Sequence, residues 1–173
     1  MPATVPPGFI SDASLRVWWV PLANLANPAA PGVAAALNAA TSLDVTCYLT
    51  GDFAPDASVA TITDDRVCLK QILEDVGAVT WSVDEMQYIY DVQNPASVSN
   101  KAYAAMISGA SGYFVARYGM DYDTAAAAGQ KVDVIPVKLG PQVKLPVTRN
   151  TKGKVKQKPF VNGPFLPDVA LVA

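Results

Sequence analysis

The sequence contains no histidine. That removes the commonest general base and a common nitrogen ligand for metals, and it excludes Ser-His-Asp and Cys-His nucleophilic catalysis. Cysteine is scarce: 173 residues hold two, Cys47 and Cys68. Their spacing fits no metal motif and two are too few for a disulfide scaffold, so they read as free, buried thiols. Charge is scarce, at 16% of residues against about 25% in an ordinary soluble chain. Long apolar runs are missing: no stretch approaches the roughly 18 residues of a membrane-spanning helix. Residues 1–8 carry neither the basic start nor the apolar run of a signal peptide. Together these absences lead us to expect no membrane span, and a chain that stays in the cytoplasm where it is made.

What is present is apolar. Hydrophobic residues make up 51% of the chain, enough for a sizeable core with apolar surface left over, and surplus apolar surface in a soluble protein usually meets a partner. The net charge of −2 conceals a division. Residues 1–100 hold 3 basic and 11 acidic side chains, whereas residues 101–173 hold 10 basic and 4 acidic. Residues 138–158 carry seven bases and no acid. Opposed fields of this kind meet either within a subunit or between subunits. The basic run is expected to face acids contributed largely by the first hundred residues, in part across a subunit boundary.

Periodicity predicts a mainly β protein. Residues 15–20 alternate as a strand with Trp18 and Trp19 on opposite faces. Further strands are expected over 43–49, 58–63, 112–118, 131–139 and 152–161, with 67–76 ambiguous and 169–172 a last candidate. Pro136 places 131–139 at an edge or a bulge. Residues 79–91 read as one strand whose apolar face switches at Asp84–Glu85, as a β-bulge would cause. One principal helix is expected near 100–108, capped by Ser99, striped by Tyr103, Met106 and Ile107, and stopped at Gly109; residues 33–40 form a short helix at best. The expected architecture is a β-sandwich or partly open barrel with one flanking helix and extended terminal arms. It forms a single unit over 1–173, with an N-terminal arm over 1–13 and a C-terminal arm or last strand over 164–173.

Candidate chemistry is thin. Residues 109–112, Gly-Ala-Ser-Gly, lack the spacing of a nucleophile elbow or a phosphate loop and read as a helix stop before a strand. The carboxylate neighbours at 64–65, 74–75 and 84–85 would point to opposite faces of a strand, unsuited to acid–base pairing. Asp52 and Asp56 lack the ligand pattern of a calcium loop. No catalytic residue, cofactor site or metal site is assigned. Lys152, Lys154, Lys156 and Lys158 recur at period 2 and would form one basic face on a strand. Three readings stay open: a solvated face that protects an edge, an acidic face of a neighbouring subunit, or nucleic acid, for which the segment has few base-reading aromatics or arginines.

The order of segments resembles the major tail (tail tube) proteins of long-tailed bacteriophages, especially those of actinobacterial phages. The resemblance is carried by PPGFISDASLRVWWVP (6–21), LDVTCYLTGDFAP (43–55), TITDDRVC (61–68), YIYDVQNP (88–95), NKAYAAMISGASGYFVARYG (100–119), VDVIPVKLG (132–140) and KVKQKPFVNGP (154–164). It spans nearly the whole chain and contains no catalytic signature. It implies a β-sandwich with a flanking helix, a non-enzymatic homo-oligomer of six-membered rings whose sheets join into an inner barrel, and rings stacked into a tube. Other tail proteins would be partners, DNA would pass through the lumen without specific binding, and the chain would be part of the virion tail. The subunit-contact candidates are Phe9, Ile10, Tyr103, Met106, Ile107, the four lysines, Phe165 and Leu166. A sandwich-type capsid decoration or adhesion domain is the alternative.

Overall fold

The computed structural model describes residues 11, 13–50, 53–64, 66, 68, 70–94 and 96–173. The expected N-terminal arm, with Phe9 and Ile10, therefore lies outside the described residues apart from Ser11 and Ala13. Among the described residues the chain is mainly β, with eleven strands. They are β1 (Leu15–Pro21), β2 (Leu43–Asp44), β3 (Pro55–Asp64), β4 (Leu73–Val83), β5 (Met86–Ile89), β6 (Ser111–Tyr118), β7 (Lys131–Leu139), β8 (Val143–Lys144), β9 (Lys154–Gln157), β10 (Pro159–Val161) and β11 (Leu166–Ala170). One α-helix, α1 (Lys101–Ala105), follows a 3-10 turn.

Strand alternation organises the core. β10, β7, β6, β1 and β2 form a sheet in that order, antiparallel throughout, and β11 also pairs with β7. Successive residues of β1 point to opposite faces. Val17 and Trp19 enter one cluster, with Phe114, Ile135 and Val137, and β5 and β9 cover it through Met86, Tyr88 and Val155. Trp18 and Val20 enter a second cluster on the other face, closed by Leu25, Ala36, Leu37 and Leu171. The β5–β9–β8 sheet and the large sheet are the two layers of a sandwich, with α1 on its flank delivering Ala102, and its C-cap residue Met106, to the first cluster.

A buried polar knot joins helix and small sheet. The Tyr88 hydroxyl donates to Gln157 Oε1 at 3.0 Å and accepts from Gln142 Nε2 at 2.9 Å. The Gln157 amide donates to the carbonyls of Met106 and Gly140, at 3.0 and 2.8 Å. Gln142 also reaches the Tyr103 carbonyl at 2.9 Å. The buried Gln157 amide is thereby satisfied at both its oxygen and its nitrogen, which a polar group in a dry core requires.

Several expectations need correction. Residues 79–91 are two strands in different sheets, because the chain leaves the β3–β4 pair at Val83 and enters the small sheet at Met86. The apolar face switches there because the chain changes sheets. β7 is not an edge: β6 flanks one side and β10 and β11 the other. Pro136 falls in the gap between β10, registered on Val137–Leu139, and β11, registered on Lys131–Val134, where no partner requires its missing N–H. The expected strand over 43–49 shrinks to two residues before a turn. The helix is shorter than expected and Ser99 does not cap it: its N-cap is Asn100, without a side-chain cap bond, and Ser97 caps the preceding 3-10 turn by accepting from the Ser99 N–H. Of the arm or last strand expected over 164–173, the structure has the strand, with Leu171 buried behind it. Cys47 and Cys68 are free but exposed, one in a turn and one in the connection beyond β3.

Two predictions follow from the packing. A Cβ on Gly112 would lie 2.6 Å from both Trp19 Cη2 and the Val20 carbonyl oxygen. Gly112→Ala is expected to lose about 1–3 kcal/mol of stability through overpacking, read as a lower urea midpoint. Burial raises the Tyr88 phenol from 10.0 to about 12. Because the folded value is the higher one, the stability it contributes is complete below pH 10 and is lost as pH rises towards about 12. Tyr118 keeps 39% of its surface exposed, yet partial burial of its ring and then Asp133 raise it to about 12, in the same window. Alkaline unfolding should begin above pH 10 and be weaker, not absent, in Tyr88→Phe.

Candidate functional site

The largest feature that the core leaves unexplained is the β3–β4 hairpin. It is a two-stranded sheet by itself, registered from Pro55↔Val83 to Asp64↔Leu73. Val, Thr, Ile and Trp at alternating positions favour extended backbone. The register shifts between Val59 and Thr61, opposite Gly77. A Cβ on Gly77 would stand 2.7 Å from the Ala60 carbonyl oxygen, so glycine permits the close approach at this bulge.

The hairpin is anchored at its base and bare beyond it. Val83 is buried, and Trp81 stacks on Phe165 with ring centroids 4.1 Å apart and planes at 18°. Further out, Val59, Val76 and Val79 share the face of Trp81 and are 52%, 70% and 50% exposed. Ile62, Ile72 and Leu73 are exposed too. Covering six such side chains would contribute roughly 1 kcal/mol apiece, about half of a full burial. An isolated two-stranded ribbon is marginal in water, and its outer edges present unpaired N–H and C=O groups. Chemically, the hairpin can bury apolar area and extend a sheet. Its sequence signal was period-2 alternation, which also describes a half-buried strand; small residues such as Ala57, Ala60, Gly77 and Ala78 among the apolar ones are the hint that no thick core lies behind it.

The lysines are divided by the fold. β9 spans four residues, with Val155 and Gln157 buried and Lys154 and Lys156 on its outer face, across from Ile89 and Gln87. Lys152 precedes the strand, and Lys158 sits where the chain crosses from the small sheet to β10 in the large one. The four therefore do not form one stripe, because a change of sheet interrupts the strand. Lys156 Nζ lies 3.1 Å from Glu85 Oε1, a surface ion pair of small worth. Lys152 borders a shallow groove of about 460 Å³ with Ile89, Tyr90, Val92 and Val147.

The other predicted contact residues scatter. Met106 is fully enclosed in its own subunit, Tyr103 is half-buried with its ring 4.3 Å from that of Tyr90, and Ile107 is 62% exposed. Phe165 covers Trp81, and Leu166 lines a groove of about 320 Å³ with Leu22, Tyr113 and Pro164. Among the described residues no group of three or more Cys, Asp or Glu side chains could hold a metal ion.

Val59→Ser combined with Val76→Ser should change the stability of the isolated subunit by less than about 0.5 kcal/mol, since both side chains already face water. Binding of an apolar dye should fall. A marked loss of stability would mean that the face packs on its own subunit.

The sequence matches the family profile described as phage tail tube protein over residues 1–173. Among solved structures, the chain is similar to one in the cryo-EM structure of the anti-feeding prophage (AFP) baseplate, 6-fold symmetrised. The TM-score is 0.53 at 8% identity, covering 95% of this chain and 98% of that one. At that identity the likeness is one of fold. No curated protein matches the sequence significantly.

Proposed function

The chain belongs to the phage tail tube protein family, and from that premise we propose that it is the repeating subunit of a tail tube of the long-tailed, actinobacterial-phage type. Copies close into rings of six, and rings stack into a conduit that delivers the genome. The role is structural and non-enzymatic. The subunit is made and assembled in the host cytoplasm and ends in the virion, in contact with copies of itself and with other tail proteins. DNA slides through the lumen without specific binding.

The observation that carries this reading is the uncovered β3–β4 hairpin. A ribbon of 10- and 11-residue strands with Val59, Ile62, Val76 and Val79 each at least half exposed has no stable reason to stand alone. Adjacent copies supply both the apolar cover and the partner strands. The six-fold symmetry of the AFP structure, a likeness of fold, supports the ring number. The basic run 138–158 adds register: each exposed pair contributes little, about 0–1 kcal/mol, and repetition over many copies makes the sum matter.

Electron microscopy of the concentrated protein tests the reading, with stacked rings or tubes as the expected result. A stable monomer or trimer under all conditions would instead fit a decoration or adhesion domain. Removing residues 1–10 should leave a folded subunit that fails to polymerise. Lys154→Glu with Lys156→Glu should slow assembly followed by light scattering, and added salt should slow the parent by screening. If that double variant polymerises normally yet loses salt-sensitive binding to duplex DNA, the lysines serve nucleic acid.

A further inference from the structure

Arg117 is fully buried, its Nε has no hydrogen-bond partner, and no carboxylate lies within ion-pair distance among the described residues. It stands directly across from Arg16 in the β1–β6 register, a like-charge pair that ordinarily destabilises a sheet. Both guanidiniums lie over the Trp18 ring, 4.8 and 5.7 Å from its centroid, an arrangement that attracts each cation to the ring face. Apart from the Arg16 Nε, their hydrogen bonds go to one place, the loop over residues 119–130. Arg117 donates to the Asp121 carbonyl at 2.8 Å, the Ala125 carbonyl at 3.4 Å and Gln130 Oε1 at 3.0 Å. Arg16 donates to the Thr124 carbonyl at 2.8 Å while its Nε is held by Asp44 at 2.7 Å. Glycines at positive φ, Gly119 and Gly129, bound the loop.

The loop in turn grips the place where the N-terminal segment joins the domain. The Gly119 N–H donates to the Ser14 carbonyl at 3.0 Å, and the Tyr122 N–H to the Ala13 carbonyl at 2.8 Å. Ala13 sits at φ 54, a conformation that a residue with a Cβ adopts only when its surroundings impose it. Beside this junction Tyr118, Met120 and Tyr122 are exposed; aromatic residues and methionine are enriched where proteins meet.

We propose that this arginine-locked loop is a preorganised contact surface for a second copy of the chain, and that it receives the basic run 138–158 of that copy. The inference rests on the tube reading above and specifies a surface within it. Charge chooses the occupant. Asp121 and Asp123 are exposed and form no ion pair among the described residues, while Lys156 alone of the seven bases in 138–158 does. Fixing the loop before contact lowers the ordering cost of association.

The test places a photoreactive benzoylphenylalanine at Tyr122 and irradiates assembled and unassembled protein. Covalent dimers are expected in assembled material alone, with the linked peptide mapping to 138–158 of the second copy. No dimer in assembled material, or a dimer mapping elsewhere, overturns the proposal. Met120→Ser with Tyr122→Ser should slow assembly at least about tenfold, the effect of losing one contact hot spot, with an unchanged melting curve; assembly at the parent rate overturns the surface. Arg117→Lys keeps the charge and loses the fork. Hydrogen exchange at the Gly119 and Tyr122 amides should then accelerate while β6 and β7 amides hold; unchanged exchange removes the arginine's positioning role. A parent that never leaves the monomer removes the tube reading and this surface with it, whereas a parent that assembles beside an unaffected surface variant removes this surface alone.

Discussion

Trp18 and Trp19 are adjacent on one strand, so they must face opposite ways, and the large sheet must be covered twice. That constraint sets the plan of the molecule. One face takes the small β5–β9–β8 sheet and the flank of α1; the other takes residues 25–37, the loop before β7 and the C-terminal strand. With both faces of the central sheet occupied, no third layer remains for the β3–β4 ribbon. It leaves the sandwich at Val83, stays attached through Trp81 on Phe165, and carries its apolar side chains into solvent.

The polar interior follows the same economy of position. Tyr88, Gln142 and Gln157 point inward where three elements converge, and their hydrogen bonds close on backbone carbonyls left over at the end of α1 and at Gly140. Arg117 is the harder case, a cation with carbonyl partners only. Burial, and then Arg16, pull its guanidinium below the ordinary arginine value, while Asp44 offsets part of this. Carbonyl dipoles and the Trp18 face stabilise the charge in place of a carboxylate. Both arrangements hold buried polar groups on carbonyl oxygens close to the surface.

Much of the β framework could be read from residue order. β1, β6 and β7 are dense in β-branched and aromatic residues and bounded by turn formers, and their alternation survives into the fold. The misreadings share a cause. A period of two says that a segment is extended but does not name its sheet, so Val83–Met86 looked like one bulged strand and 152–161 like one lysine-bearing strand. In each, the chain passes from one sheet to another within two residues. Pro136 misled for a similar reason, since its missing N–H is harmless wherever a neighbouring edge has a gap, at the rim or at the junction of two partner strands. The cysteines misled through a general tendency of thiols to be buried, which a turn and a distal connection do not obey.

By itself, the sequence determined the class: a mainly β chain, the absence of histidine chemistry, the division of charge and the surplus of apolar surface. These depend on composition and on neighbours along the chain, which local sterics translate directly into strand or turn. Only the tertiary structure decided which apolar residues stay uncovered, which lysines share a face, and where two arginines direct their hydrogen bonds. Those outcomes depend on which strands pair over long sequence separations, and alternation alone is equally satisfied by a core, a subunit contact or open water.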